Sequence, residues 1–224
     1  MPKVYLSPSL QEANIGVGKY GTEMYRMRQV ALAAQARLRA AGVTVRMSPE
    51  SWAYLDGNVS LAKVVADSNA FAPALHICIH SNAGPKGSDG TLVFYHPGSA
   101  NGKKIATLIQ HAVAPLSPGS DYALATSPVF YETRAAKAPV AYLECAFHTD
   151  YKDAASLIEH HDAYGRAIAD ACLQYLGIPL PGAVPPPAPV VPLTPVQRLR
   201  QRVIKLEARV AALEAEITPI PPTA

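Results

Sequence analysis

The stretch Leu75–Asn82 limits the possible folds more than any other part of the chain. It is a short apolar run that contains two histidines and ends in Ser81-Asn82, with Pro73 before it and Gly84-Pro85 after it. Runs of this length between turn residues are typical of buried strands. Reacting groups collect beyond the carboxyl ends of strands in open α/β sheets, so His80 at this end is a candidate metal ligand. The alternative is a histidine of the core or rim whose hydrogen bonds are satisfied.

Strand and helix patterns alternate along the first 178 residues. Strands are predicted at residues 4–7 and 43–47, with a helix over 23–41 between them that Thr22 caps and Gly42 ends. Such a βαβ unit favours a parallel sheet with a right-handed crossover. Further strands are predicted at 75–80, 91–96 and 139–144, and helices at 61–70, 102–113 and 164–176. We therefore expect a doubly wound α/β domain over residues 1–178, with a mostly parallel sheet and helices on both faces.

The amino-acid composition limits the possible binding partners and the expected cellular compartment. The formal net charge is +3 with both signs dispersed, which argues against a nucleic-acid partner. The three cysteines, Cys78, Cys145 and Cys172, have no metal-type spacing and are expected to be reduced core residues. The chain opens without the basic and apolar regions of an export signal, and no run of about 20 apolar residues could span a membrane. We expect cytoplasmic synthesis, and action outside the cell only after release.

The C-terminal part changes character. Residues 179–193 are rich in proline and are predicted to form a semi-rigid linker. Residues 194–218 then follow a heptad pattern, and 219–224 are predicted to be a disordered tail. The a positions hold Val196, Val203, Val210 and Ile217, and the d positions hold Leu199, Leu206 and Leu213. This pattern predicts a homo-oligomer, a parallel dimer or trimer, through residues 196–217. The alternative is an amphipathic helix docked on its own domain.

Three side chains are expected to meet at one edge of the sheet. Glu23 begins the first helix, His80 ends the central strand, and Glu144 ends the late strand. A Glu and a His suit zinc, and a second carboxylate near a metal can take a proton from water. The alternatives are that Glu23 only stabilises a helix N-terminus and that Glu144 is a rim carboxylate. A carboxylate inside an apolar strand is costly without a partner or a function, which favours a functional Glu144.

Three segments resemble the signature blocks of a known family. The residues at 20–23 (Tyr-Gly-Thr-Glu), 79–83 (Ile-His-Ser-Asn-Ala) and 143–147 (Leu-Glu-Cys-Ala-Phe) are similar to those of the zinc-dependent N-acetylmuramoyl-L-alanine amidases of the amidase-3 type. The resemblance spans about residues 3–178. It implies that Glu23 and His80 hold one zinc ion per chain and that Glu144 is the catalytic carboxylate. The implied reaction is hydrolysis of the amide between N-acetylmuramic acid and L-alanine of peptidoglycan.

The first block departs from the family pattern. Ser7-Pro8-Ser9-Leu10-Gln11 stands where the family commonly has Asp-Pro-Gly-His-Gly, whose histidine is the first zinc ligand. The loop resembles a variant branch with Ser-Pro-Ser-x-Gln. We expect Gln11 to supply the missing ligand through its amide oxygen, with Glu12, or no ligand at all, as alternatives. His76 is a possible substitute but is expected to lie too far down the strand.

Three further residues are assigned to substrate. Asn82 belongs to the second block, Arg134 precedes the last strand, and His148 follows Glu144. Arg134 is expected to orient an anionic group of the substrate or to be an ion-pair partner, and His148 to hydrogen-bond the tetrahedral intermediate or to be an ordinary surface residue.

The resulting hypothesis is a peptidoglycan hydrolase, a phage-type lysin or autolysin. One rival is an inactive amidase-fold protein that binds the cell wall or is structural. Another is a related zinc carboxypeptidase, which would usually need a His-x-x-Glu pattern, and none precedes His80.

Overall fold

The described part of the chain consists of a single sheet covered by helices. The computed structural model describes residues 1–181, apart from the side chains of residues 122 and 123. The strands are β1 Lys3–Pro8, β2 Thr44–Met47, β3 Leu75–Asn82, β4 Thr91–Tyr95, β5 Asp121–Thr126 and β6 Val140–Phe147. The α-helices are α1 Glu23–Ala40, α2 Gly57–Phe71, α3 Ala100–Val113, α4 Tyr131–Ala135, α5 Tyr151–Glu159 and α6 His161–Leu176.

The strand order is β2-β1-β3-β6-β4-β5. Strands β2, β1, β3 and β6 run parallel to one another, β4 runs antiparallel to β6, and β5 runs parallel to β4. The predicted mostly parallel α/β sheet is therefore confirmed, while the reversed pair β4–β5 was not predicted. The two strands that carry His80 and Glu144 are the central ones.

One face of the sheet, the apolar face, carries the hydrophobic core. Leu75, Ile77 and Ile79 of β3 project into it and are fully buried in a cluster with residues of α1, α3 and α6. Close packing of α1 on α6 requires Gly165, because a Cβ there would lie 2.5 Å from both Ala33 Cβ and Val30 O. This face is a continuous apolar layer.

The opposite, polar face lies under α2 and α4. Here β3 presents the alternating residues His76, Cys78 and His80, and the two covering helices contribute Ser68 and Glu132. Because side chains of a strand alternate between faces, the same strand supplies both the core and this polar row. Helices thus cover both faces, as predicted.

The local signals account for most of the helix and strand boundaries. Thr22 caps α1 by accepting a hydrogen bond from the Tyr25 N–H, and Gly42 has the positive φ of 79° expected just past a helix end. Strand β5 and helices α4 and α5 were not predicted. The predicted coiled coil over 194–218, the tail and all but the start of the linker lie outside the described residues. Within residues 1–181, no helix is long and apolar enough to cross a membrane.

Candidate active site and metal centre

Glu23 and His80 form the centre of the site. His80 Nδ1 lies 2.9 Å from Glu23 Oε1, and the Ser81 N–H donates to the same oxygen at 3.3 Å. The Glu23 side chain is 1% exposed and the His80 side chain 9%. Burial opposes ionisation of both groups, but their mutual hydrogen bond and opposite charges prevail, so the pKa of Glu23 is lowered and that of His80 is raised. Both shifts favour the charged forms of the pair.

The loop after β1 is attached to this pair through Asn14. Its side-chain amide donates to Glu23 Oε2 and to Gln11 Oε1, at 2.7 Å in each case. Gln11 and Glu12 are both exposed, and only Gln11 joins this hydrogen-bonded chain. The loop is held in place by Gly16, where a Cβ would lie 2.7 Å from the His148 carbonyl oxygen. Asn14 therefore bridges the side chain of Gln11 and the carboxylate of Glu23.

Glu144 lies beside His80 on the polar face. The two residues are direct partners in the register of β3 and β6. Glu144 Oε2 is buried and has no hydrogen-bond partner among the described residues. Burial raises the pKa of Glu144 to about 7, the charge of His80 lowers it, and that of Glu23 raises it. A carboxylate poised near neutrality can accept and return a proton under ordinary conditions.

His148 is buried behind the centre and is not a surface residue. Its Nδ1 lies 2.9 Å from Ser81 Oγ, which shares a second hydrogen bond of 2.7 Å with the Tyr20 hydroxyl. Burial lowers the pKa of His148, so the ring is neutral at pH 7. The Tyr20–Ser81–His148 network fixes the end of β3 against the loop that follows β6.

A cleft of about 530 Å³ opens on the polar face. Gln11, His80 and Glu132 contribute polar groups to its wall, and Tyr142 and Phe130 contribute aromatic rings. Tyr142 stacks on the His80 ring with centroids 4.5 Å apart. The cleft combines apolar surface with a few convergent polar groups, as small-molecule sites commonly do.

Two of the predicted substrate residues lie apart from this wall. Arg134 is exposed, with its guanidinium 5.3 Å from the centroid of the Tyr131 ring, and lines a separate depression near the start of β6. Asn82 Oδ1 accepts the N–H of Ala83 at 2.8 Å, so this side chain stabilises the turn after β3. The structure thus brings Glu23, His80, Gln11, Glu144 and His148 together and leaves Arg134 at a distance.

The donor set at Glu23 and His80 fits a zinc ion in part. A carboxylate oxygen and an imidazole nitrogen that face each other are suitable zinc ligands. Among residues 1–181, no third His, Cys, Asp or Glu donor atom comes within 4.8 Å of both. The nearest loop side chains that offer an amide oxygen are those of Gln11 and Asn14, which are hydrogen-bonded to each other, and Asn14 is also hydrogen-bonded to Glu23.

A second group of donor atoms lies deeper on the same face. His76, Cys78 and Glu132 place their donor atoms within 4.8 Å of one another. Sequence reasoning missed Glu132, because it is far from β3 along the chain and follows no strand end. Asn14 was missed too, although a carboxamide three residues after Gln11 in a loop facing Glu23 is a usable signal. Tyr142 was predictable as the residue two before Glu144 on the same strand face.

Comparisons with known proteins identify the family and the fold. A family model described as N-acetylmuramoyl-L-alanine amidase matches residues 5–174. The fold is similar to the catalytic domain of CwlV, an N-acetylmuramoyl-L-alanine amidase from Bacillus (Paenibacillus) polymyxa var. colistinus, with a TM-score of 0.71 and 20% identity over 80% of this chain and 100% of that one. No curated protein matches the chain.

Two further solved structures show the same fold. The N-acetylmuramoyl-L-alanine amidase AmiC2 of Nostoc punctiforme has a TM-score of 0.67 and 20% identity over 79% of this chain and 97% of that one. The catalytic domain of the CD27L endolysin, which targets Clostridia difficile, has a TM-score of 0.67 and 18% identity over 78% of this chain and 98% of that one.

Proposed function

Because the chain belongs to the N-acetylmuramoyl-L-alanine amidase family, we propose that it hydrolyses the amide between N-acetylmuramic acid and the L-alanine of the peptidoglycan stem peptide, with Glu144 as the catalytic carboxylate. The observation that carries this proposal is the position of Glu144. It is the register partner of the His80 centre, its Oε2 lacks a hydrogen-bond partner among the described residues, and its pKa is raised to about 7. Glu144 lies within β6, three residues before its end and not at the end as expected, and a carboxylate left unsatisfied there is available for proton transfer.

In the proposed reaction, Glu144 accepts the proton of the attacking water and then delivers it to the leaving amine nitrogen. Glu23 and His80 keep each other oriented, and Tyr142 restricts the His80 ring by stacking on it. Apolar residues line part of the cleft beside His80, and a substrate that fills it would shield the reacting bond from water, which would strengthen the electrostatic interactions there.

We assign Glu23, His80 and Gln11 as the ligands of a single zinc ion. Zinc supplies Lewis-acid polarisation of the scissile carbonyl and lowers the pKa of water. Gln11 is supported by its hydrogen-bonded link to Glu23 through Asn14, whereas Glu12 has no such link. The amide oxygen of Gln11 replaces the histidine of the usual first block.

The biological setting remains a prediction. A phage-type lysin or autolysin, assembled as a homo-oligomer through residues 196–217, is consistent with the heptad pattern of the sequence. The surroundings of Asn82, Arg134 and His148 do not by themselves indicate a contact with substrate. His148 is the best placed of the three, because it is part of the network at the end of β3.

The test compares the wild type with Glu144→Ala. We expect about one zinc ion at the Glu23–His80 centre in both proteins, and release of free amino groups from purified peptidoglycan by the wild type alone. Folding of the variant is checked by circular dichroism. A folded wild type that sediments with cell walls but releases no amine would instead establish the inactive binding protein as the function.

A further inference from the structure

The buried group His76, Cys78 and Glu132, which we call the inner trio, shares no ligand with the Glu23–His80 centre. We propose that the inner trio is a second metal site, which binds a zinc-class cation through an imidazole nitrogen, a thiolate and a carboxylate. Two of the residues lie on β3 and the third lies on α4. The donor atoms of all three lie within 4.8 Å of one another.

The burial of the inner trio needs an explanation. His76 and Cys78 are 0% exposed and Glu132 is 3% exposed. Replacing buried ionic groups with apolar ones is often neutral or stabilising, so packing alone does not require this combination. The His76 Nε2 to Glu132 Oε1 distance is 3.2 Å, longer than the 2.7–2.9 Å of strong charge-assisted bonds. The two groups are therefore close enough to share a ligand and are not in an optimal direct bond.

The groups around the inner trio resemble the supporting shell of a metal site. His76 Nδ1 lies 2.8 Å from Ser68 Oγ, which fixes the ring and leaves Nε2 pointing at Glu132. Ser7 Oγ donates to Glu132 Oε1 at 2.6 Å and fixes the carboxylate. Metal-bound histidines almost always have their second ring nitrogen hydrogen-bonded in this way, and ligating carboxylates are likewise held by a second partner.

The donor chemistry selects the class of cation. Nitrogen, sulfur and oxygen donors together suit tetrahedral zinc, whereas magnesium and calcium prefer oxygen alone. Ser7 and Glu132 also line the cleft, so the carboxylate is the member of the trio nearest to solvent.

The test uses the full-length chain, stripped of metal and titrated with Co²⁺. Cobalt bound by a thiolate gives a near-ultraviolet sulfur-to-metal charge-transfer band, and the Glu23–His80 centre contains no sulfur. We expect about two cobalt ions per chain and this band in the wild type. Cys78→Ser loses the band and about one cobalt ion. The matched control Cys172→Ser changes a fully buried cysteine of α6 and keeps both.

Two more variants separate this site from the proposed active site. His80→Asn is expected to lose amidase activity and about one cobalt ion but to keep the charge-transfer band. Glu132→Gln is expected to bind the second cobalt ion at least about 10-fold more weakly, and it serves if Cys78→Ser fails to fold. Saturation with only one cobalt ion and no band, or a band that survives Cys78→Ser in a folded protein, overturns the proposal. Either result leaves the amidase assignment intact.

Discussion

The two faces of the sheet are built from the same strands but have different roles, one in stability and the other in chemistry. On the apolar face, Leu75, Ile77 and Ile79 meet three helices in a closed hydrophobic layer. On the polar face, His76, Cys78 and His80 meet a cleft and two helices that bring further ionisable groups. The difference shows that a two-residue period along one strand can separate stability from chemistry. The polar face also contributes to stability, because it contains buried hydrogen-bonded pairs of histidine and glutamate.

The largest effect is expected from breaking the Glu23–His80 pair. In the presence of a chelator, His80→Ala should lower the free energy of unfolding by about 3–5 kcal/mol, because it leaves the buried Glu23 carboxylate without its partner. Urea denaturation measures this loss. In a double-mutant cycle, adding Glu23→Gln should restore part of it. If the two single changes simply add, the pair is not coupled and the polar face has no structural role here.

The apolar face should respond to cavity formation without loss of chemistry. Ile77→Ala removes a fully buried side chain next to Cys78 and should lower the free energy of unfolding by about 2–4 kcal/mol. Amine release by the remaining folded protein, assayed well below the unfolding midpoint, should stay within a few-fold of the wild type. Val129→Ala, at a residue that is 75% exposed, is the control. An equal loss of activity at constant folded fraction would show that the faces are not separable.

The pH dependence of stability sharpens the comparison at Glu144. In the unfolded chain its pKa is near the ordinary 4.5, and in the folded protein it is about 7. Below pH 4.5 the group is protonated in both states and has no effect. As the pH rises to 7 and above, the folded state alone pays for a buried charge, so metal-free wild type loses about 1–3 kcal/mol that Glu144→Gln retains.

Urea unfolding of the two proteins at pH 4 and pH 8 measures the difference. Glu50→Gln, at an exposed glutamate, should show no such pH-dependent gain. A Glu144→Gln variant that is no more stable than the wild type at pH 8 would mean that Glu144 has a partner in solution.

The smallest expected effect concerns the loop after β1. Asn14→Ala removes the two hydrogen bonds that join Gln11 to Glu23 and should weaken zinc binding about 10-fold, with little change in the free energy of unfolding. Competition with a chromogenic chelator measures the zinc affinity, and the exposed Asn101→Ala is the control. Unchanged affinity would exclude the loop as a supplier of the third ligand.

Local patterns in the sequence account for one face better than for the other. Apolar runs and capping residues predicted β1 to β4 and β6, because burial of alternating side chains leaves a signature within a few residues. Strand β5 was missed because polar Asp121 and Thr126 shorten its apolar run to four residues, directly after a Ser-Pro-Gly-Ser segment. The reversal of β4 was not predictable, since the direction of a strand leaves no trace in its own composition.

Some residues of the candidate site were predictable from local patterns, and others were not. Glu23, His80 and Glu144 lie on recognisable elements, so their proximity was predictable from a parallel sheet. Asn14 and Glu132 are brought in by a loop and by the five-residue helix α4, whose positions depend on tertiary packing. The inner trio joins residues more than 50 positions apart, as the His76–Glu132 separation of 56 shows, and no local pattern encodes that contact.

The central placement of β3 and β6 determines which parts of the protein can open locally. Both strands are hydrogen-bonded to neighbours on either side, so their backbone amides are expected to exchange with deuterium only when the whole domain opens. His80 and Glu144 are then fixed to the slowest-exchanging part of the molecule. Any opening that admits a bulky polymer must come from α2 and the loops around the cleft, which should exchange orders of magnitude faster.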